Sequence, residues 1–90
     1  MNKQRRNEIG KLVDKAEELI PILDALASEI ETIASEEQEY YDNAPENMVD
    51  SEKYERACEV ADELESCQQE VREMSEGLGD IRARLEGSVD

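Results

Sequence analysis

Residues 42–50, DNAPENMVD, lie between two long stretches that both read as helix, and they decide the fold. Asn43 can close a helix, and the residue before Pro45 is pushed away from helical angles. Asp50 and Ser51 can start a helix again, with Glu52 and Glu55 in the first turn, where carboxylates suit the helix dipole. A chain that reverses here lays its two halves side by side and antiparallel.

The flanks have the pattern such a reversal needs. Counted in sevens, Ile9, Ala16, Leu23 and Ile30 fall in one row. Leu12, Leu19, Leu26, Ile33 and Tyr40 fall in a second, and Val13, Ile20, Ala27, Ala34 and Tyr41 in a third. Downstream, Ala57, Leu64, Val71, Leu78 and Leu85 form a row, with Val60, Cys67, Met74 and Ile81 as the next, and Tyr54 and Ala61 widening the face. Only a helical period accommodates these spacings. They predict helices over about 4–42 and 51–86 joined by a turn at 43–50, the first about 57 Å long.

Folding the chain so that partner numbers sum to about 93 sets Ile33 against Val60, Leu26 against Cys67, Leu19 against Met74 and Leu12 against Ile81. The expected fold class is all-α: a single domain, 1–90, built as a long, coiled-coil-like antiparallel two-helix hairpin. Leu19, Ile20, Ile22, Leu23 and Leu26 crowd two turns with more apolar surface than one helix can cover. A homodimer forming a four-helix bundle is therefore expected. Pro21 falls opposite the stripe and is expected to bend the first helix without ending it; a break at Ile20 is the alternative. Gly77 and Gly79 weaken the far end of the second helix, or mark a close approach of another backbone. Tyr40 and Tyr54 are expected on inward rows, capping the end of the bundle, with Tyr41 partly exposed.

Charge is unevenly laid out. The chain has 25 acids against 10 Lys and Arg, a net charge of −15. Residues 1–16 carry +3, residues 17–52 hold twelve acids and no Lys or Arg, and residues 53–90 carry −6. Such a surface repels nucleic acid and anionic membrane and attracts basic partners. It can be a solvated face kept acidic for solubility. Alternatively, carboxylates such as Glu29, Glu31, Glu36, Glu37, Glu39 and Asp42, about 5–6 Å from their helical neighbours, stand in for phosphates. The basic start, Lys3, Arg5 and Arg6, opposes the helix dipole; it is expected to fray, or to grip a phosphate.

Catalytic and metal signatures are missing. Histidine is absent, which removes common general-base and zinc arrangements. Cys58 and Cys67 are about 13 Å apart along one helix, too far to bridge each other. Both read as free thiols of a reducing compartment, with a Cys67 bridge between chains as the minor alternative. The segment DNAPENMVDSEK has neither the central Gly nor the terminal Glu of a calcium loop. No apolar run reaches the ~18 residues of a membrane span, and MNKQRRNEIGKLV has no uninterrupted apolar core for secretion. No cofactor and no metal are expected, and the chain reads as soluble and cytoplasmic.

Residues 36–55, EEQEYYDNAPENMVDSEKYE, contain all three tyrosines. This segment resembles a motif of small, uncharacterised acidic helical proteins of phages and prophage-like elements. It reads as EEQEYYDN, any residue, PEN, and then SE(K/R)YE; relatives often have Met at the position of Ala44. The resemblance covers these 20 residues closely and the flanking helices only in character. It implies a phage setting, and by analogy an inhibitor of host defence or of host nucleic-acid enzymes.

Together these readings point to a non-enzymatic interaction protein that blocks a basic site on a host protein as a DNA mimic, without itself binding nucleic acid or membrane. Its expected contact residues are Glu36, Glu37, Glu39, Tyr41, Asp42, Asn43, Glu46 and Asn47. The alternatives are an assembly module pairing through its apolar stripe, and a nucleotide sponge using the basic N-terminal end.

Overall fold

A computed structural model describes residues 2–43 and 52–89 of the chain. It contains two helices, α1 (Lys3–Asp42) and α2 (Glu52–Gly87), and no strand among the described residues. They pack along each other as a hairpin, in a rod of 70 × 14 × 14 Å. Both boundaries agree with the heptad pattern to within one residue. The expected cap at Ser51 and turn residues 44–50 lie outside the described residues. At the other end α1 is helical from Lys3 and capped: Arg5 N–H donates to Asn2 Oδ1 at 2.7 Å. Arg5 also pairs with Glu8 at 3.6 Å, which offsets the missing acids of the first turn. The last turn of α2 carries Arg84, favourable at the negative end of the dipole, and Ser88 Oγ donates to the Arg84 carbonyl.

The seam is narrow and made of small residues. Its buried hydrophobic positions are Val13, Ala16, Ala27, Ala57 and Ala61, with Ala27 fully enclosed at 0% exposure. Ile20, Leu23, Ile30, Leu64, Val71, Leu78 and Leu85 lie half-buried beside them. Alanines at the contact let the backbones approach, and larger side chains pack around the points of closest contact. No large side chain is fully buried among the described residues.

Two expected features of the seam are corrected. The row Leu12, Leu19, Leu26, Ile33 and Tyr40 lies outside it: each is exposed, Leu26 least at 43%. Met74 and Ile81 of the matching row on α2 are exposed as well, and Val60 and Cys67 half-buried. One partner helix covers only about two of three apolar rows, and the rows containing Ala16 and Ala27 allow the closest approach. Tyr40, at 51% exposure, therefore does not cap the seam.

The register is also displaced from the expected sum of 93. Arg82 reaches Glu17 at 2.7 Å, Ser75 Oγ donates to Asp24 Oδ1 at 2.7 Å, and Arg72 reaches Glu31 at 3.1 Å. These partner numbers sum to between 99 and 103, and Tyr40 lines a shallow cleft with Val60. Leu26 is thus level with Met74, not Cys67, and Ile33 with Cys67, not Val60. The offset is close to one heptad. A stripe of period seven matches itself equally well after a seven-residue slide, so apolar residues alone cannot choose. The polar ties can: slid back by seven, Glu17 would meet Ser75, and Arg82 would lose its acid on α1.

Pro21 lies within α1 on its exposed side, and the helix continues through it without interruption. The break at Ile20 does not occur. Gly77 and Gly79 are likewise inside a continuous α2, and a Cβ at either would meet nothing within 4 Å. Among the described residues no other backbone approaches them. Gly79→Ala is therefore expected to stabilise the hairpin by about 0.5–1 kcal/mol. A urea midpoint that stays put or falls would show that another chain needs the space.

Candidate interaction surface

Around Tyr40, α1 ends in the acidic stretch that holds most of the expected contact residues. Glu36, Glu39, Asp42 and Asn43 are exposed, whereas Glu37 is half-buried. At 100° per residue, Glu36, Glu39 and Asn43 lie within about a 60° arc on the outer side, with Asp42 some 60° further round. Glu37 points away from them, into the cleft lined by Tyr40, Arg56, Ala57 and Val60. The stretch is held by its own turn: Gln38 Nε2 donates to Asp42 Oδ1 at 3.0 Å, and Asn43 N–H donates to the Glu39 carbonyl at 3.0 Å. Tyr41 is helical, but its expected side-chain exposure is outside what is described. Glu46 and Asn47 lie outside the described residues. The structure thus brings together Glu36, Glu39, Asp42 and Asn43, and sets Glu37 apart.

Not every acid of α1 is available to a partner. Glu17, Asp24 and Glu31 recur every seven residues along one edge, and each is tied to α2. Arg82 also reaches Glu86 at 3.2 Å, one turn along its own helix, so it bridges two carboxylates. The three ion pairs are substantially exposed, so each contributes about 1 kcal/mol at most. The Asp24–Ser75 hydrogen bond is part-buried, with Ser75 enclosed in the seam. The greater effect of these ties is on register. Glu31, expected among the phosphate-like carboxylates, is thereby engaged. The signal for this edge was present in the sequence as acids at heptad spacing opposite Ser75 and Arg82. It is readable only once the register is known.

The two long sides of the hairpin differ accordingly. One carries the Glu17–Arg82, Asp24–Ser75 and Glu31–Arg72 ties. The other carries the exposed apolar rows, and handedness puts both rows on that same side, as Tyr40 and Val60 in one cleft attest.

No protein-family model, curated protein or solved structure matches this chain.

Its surface must be read from its own chemistry. Among the described residues, no three Cys, Asp or Glu side chains are grouped to hold a metal ion. Cys58 and Cys67 are free and half-buried. No helix is long and apolar enough to cross a membrane. The open clefts between the helices are shallow and lined by mixed side chains, such as Glu31, Ala34, Gln38, Ala61 and Gln68. What the geometry offers is two extended surfaces, one anionic and one apolar.

Proposed function

We propose that this chain is a non-enzymatic binding protein whose acidic α1 end occupies a basic, nucleic-acid-binding groove of another protein. In a phage or prophage setting, which the resemblance of residues 36–55 suggests, the target is a host defence or nucleic-acid enzyme, and occupation of its groove inhibits it. The observation that carries this reading is the separation of charge along the rod. From Glu17 to Asp42, α1 has no Lys or Arg, and its outward Glu29, Glu36, Glu39 and Asp42 are in no ion pair among the described residues. Glu36, Glu39 and Asp42, three residues apart and about 5–6 Å from one to the next, with Glu29 two turns earlier, form an anionic line on one continuous helix that a groove built for phosphates can accept. A formed helix spares the ordering cost that a disordered acidic tail meets on binding.

The test is capture from host extract at two salt concentrations, followed by titration of the captured protein. Binding is expected to weaken steeply as salt shortens the screening length from about 10 Å at 0.1 M to about 3 Å at 1 M. Changing Glu36, Glu39 and Asp42 together to Gln, Gln and Asn should weaken it about tenfold, the sum of three pair energies of roughly 0.5 kcal/mol each. Glu37→Gln should have a smaller effect, because its carboxylate faces the cleft. Capture indifferent to both salt and these substitutions would sink the reading. It would instead favour an assembly module that pairs with another helical protein, the reading that the exposed Leu12–Tyr40 row supports.

A further inference from the structure

The seam of the hairpin is filled largely by alanines, while the larger aliphatics of the second row stay outside. In a stable helical protein the larger side chains are normally the ones enclosed. From Leu12 to Tyr40 the exposed row is about 42 Å long at 1.5 Å per residue, on a rod 14 Å wide. A flat patch of that size is on the order of 600 Å². With its corrugation it approaches the ~800 Å² per partner of a stable interface.

We propose that a second copy of this chain covers this face, and that the two hairpins lie head to tail. Two-fold symmetry allows two arrangements of apolar face on apolar face. In one, both turns are at the same end; in the other, they are at opposite ends. The row on α1 is centred on Leu26, with Leu19 and Ile33, then Leu12 and Tyr40, at equal distances on either side. An axis beside Leu26 therefore sets Leu19 against Ile33, and Leu12 against Tyr40, of the other copy.

Charge selects between the two. Residues 1–16 carry +3, and Lys11 and Lys15 are in no ion pair among the described residues. Residues 17–42 are acidic throughout. With both turns at one end, two acid-rich ends stack on each other and two basic ends likewise. Head to tail, Lys15 of one copy comes level with Glu36 and Glu37 of the other, and Lys11 with Glu39. Attraction replaces repulsion at both ends. The second copy also encloses the apolar row, so folding and association are coupled.

Sedimentation equilibrium together with pulsed electron paramagnetic resonance on a spin label at Asn7→Cys, in a Cys58→Ser, Cys67→Ser background, tests this. Asn7 is exposed and off the apolar face, so the label leaves the interface intact. Twice the 10.2 kDa chain mass is expected. Because residue 7 is 19 positions from the axis at Leu26, the label separation should be about 57 Å at 1.5 Å per residue. A separation under about 25 Å, from both turns at one end, would overturn the arrangement. A folded monomer, or a larger oligomer, would overturn the proposal outright. Leu26→Glu should abolish the dimer, and a dimer that survives it also counts against this face. None of these outcomes depends on the inhibitor reading, whose failure would show only in the capture experiment.

Discussion

Ala27→Glu is expected to unfold the hairpin. Ala27 has no exposed surface and lies in the seam between the two helices. A glutamate there must either leave a charge uncompensated between the helices or force them apart. The first costs about 3–5 kcal/mol, and overpacking adds about 1–3 kcal/mol. Small domains have only about 5–15 kcal/mol in total, and a seam built of alanines places this one towards the lower end. Ala25→Glu is the matched control: two positions away, it is exposed on the far side and should change stability by less than about 0.5 kcal/mol. Far-UV circular dichroism with urea titration reads the difference, and Ala27→Leu should fall between the two. If Ala27→Glu proves as stable as Ala25→Glu, the seam is not where the structure places it.

The second large effect has the opposite sign. Pro21 interrupts the helical hydrogen-bond ladder, because it has no N–H to donate to the Glu17 carbonyl, and its ring crowds that carbonyl. Its side chain is exposed, so replacing it removes little packing. Pro21→Ala should therefore recover most of the ~3 kcal/mol helix penalty. About 0.4–1 kcal/mol is given back because the unfolded chain becomes freer. A net gain of about 2 kcal/mol corresponds to a melting temperature higher by roughly 10 °C in a chain of this size. The comparison must be made at matched protein concentration, since association would itself move the transition. An unchanged or lower melting temperature would mean that a bend at Pro21 is needed, for instance to fit the apolar face to its occupant.

These two substitutions also show how far residue patterns reach. That Ala27 belongs to an apolar row, and that Pro21 lies opposite it, follows from counting in sevens. That the row of Ala27 is enclosed while the row of Leu26 is exposed does not. Three adjacent rows were apolar, and hydrophobicity alone favours burying the one with leucines. Close approach of two backbones favours the one with alanines. Similarly, the acids at 17, 24 and 31 look like part of a uniform charged surface until Arg82, Ser75 and Arg72 are found opposite them. Of the expected contact surface, Glu36, Glu39, Asp42 and Asn43 share the outer side by simple helical arithmetic, and Glu37 separates by the same arithmetic once the seam is located.

What the residues alone determined was local or periodic: two helical stretches, their outer limits to within one residue, and the lengthwise division of charge. Each follows from spacing and backbone preference, which act over a few residues. Only the tertiary structure decided which two of three apolar rows meet, and which of the registers a heptad apart is used. Those choices are set by how closely two backbones approach and by a few cross-helix polar pairs. A repeating pattern is unchanged by a shift of one period, so it cannot choose the register, and three adjacent apolar rows do not by themselves say which two will meet.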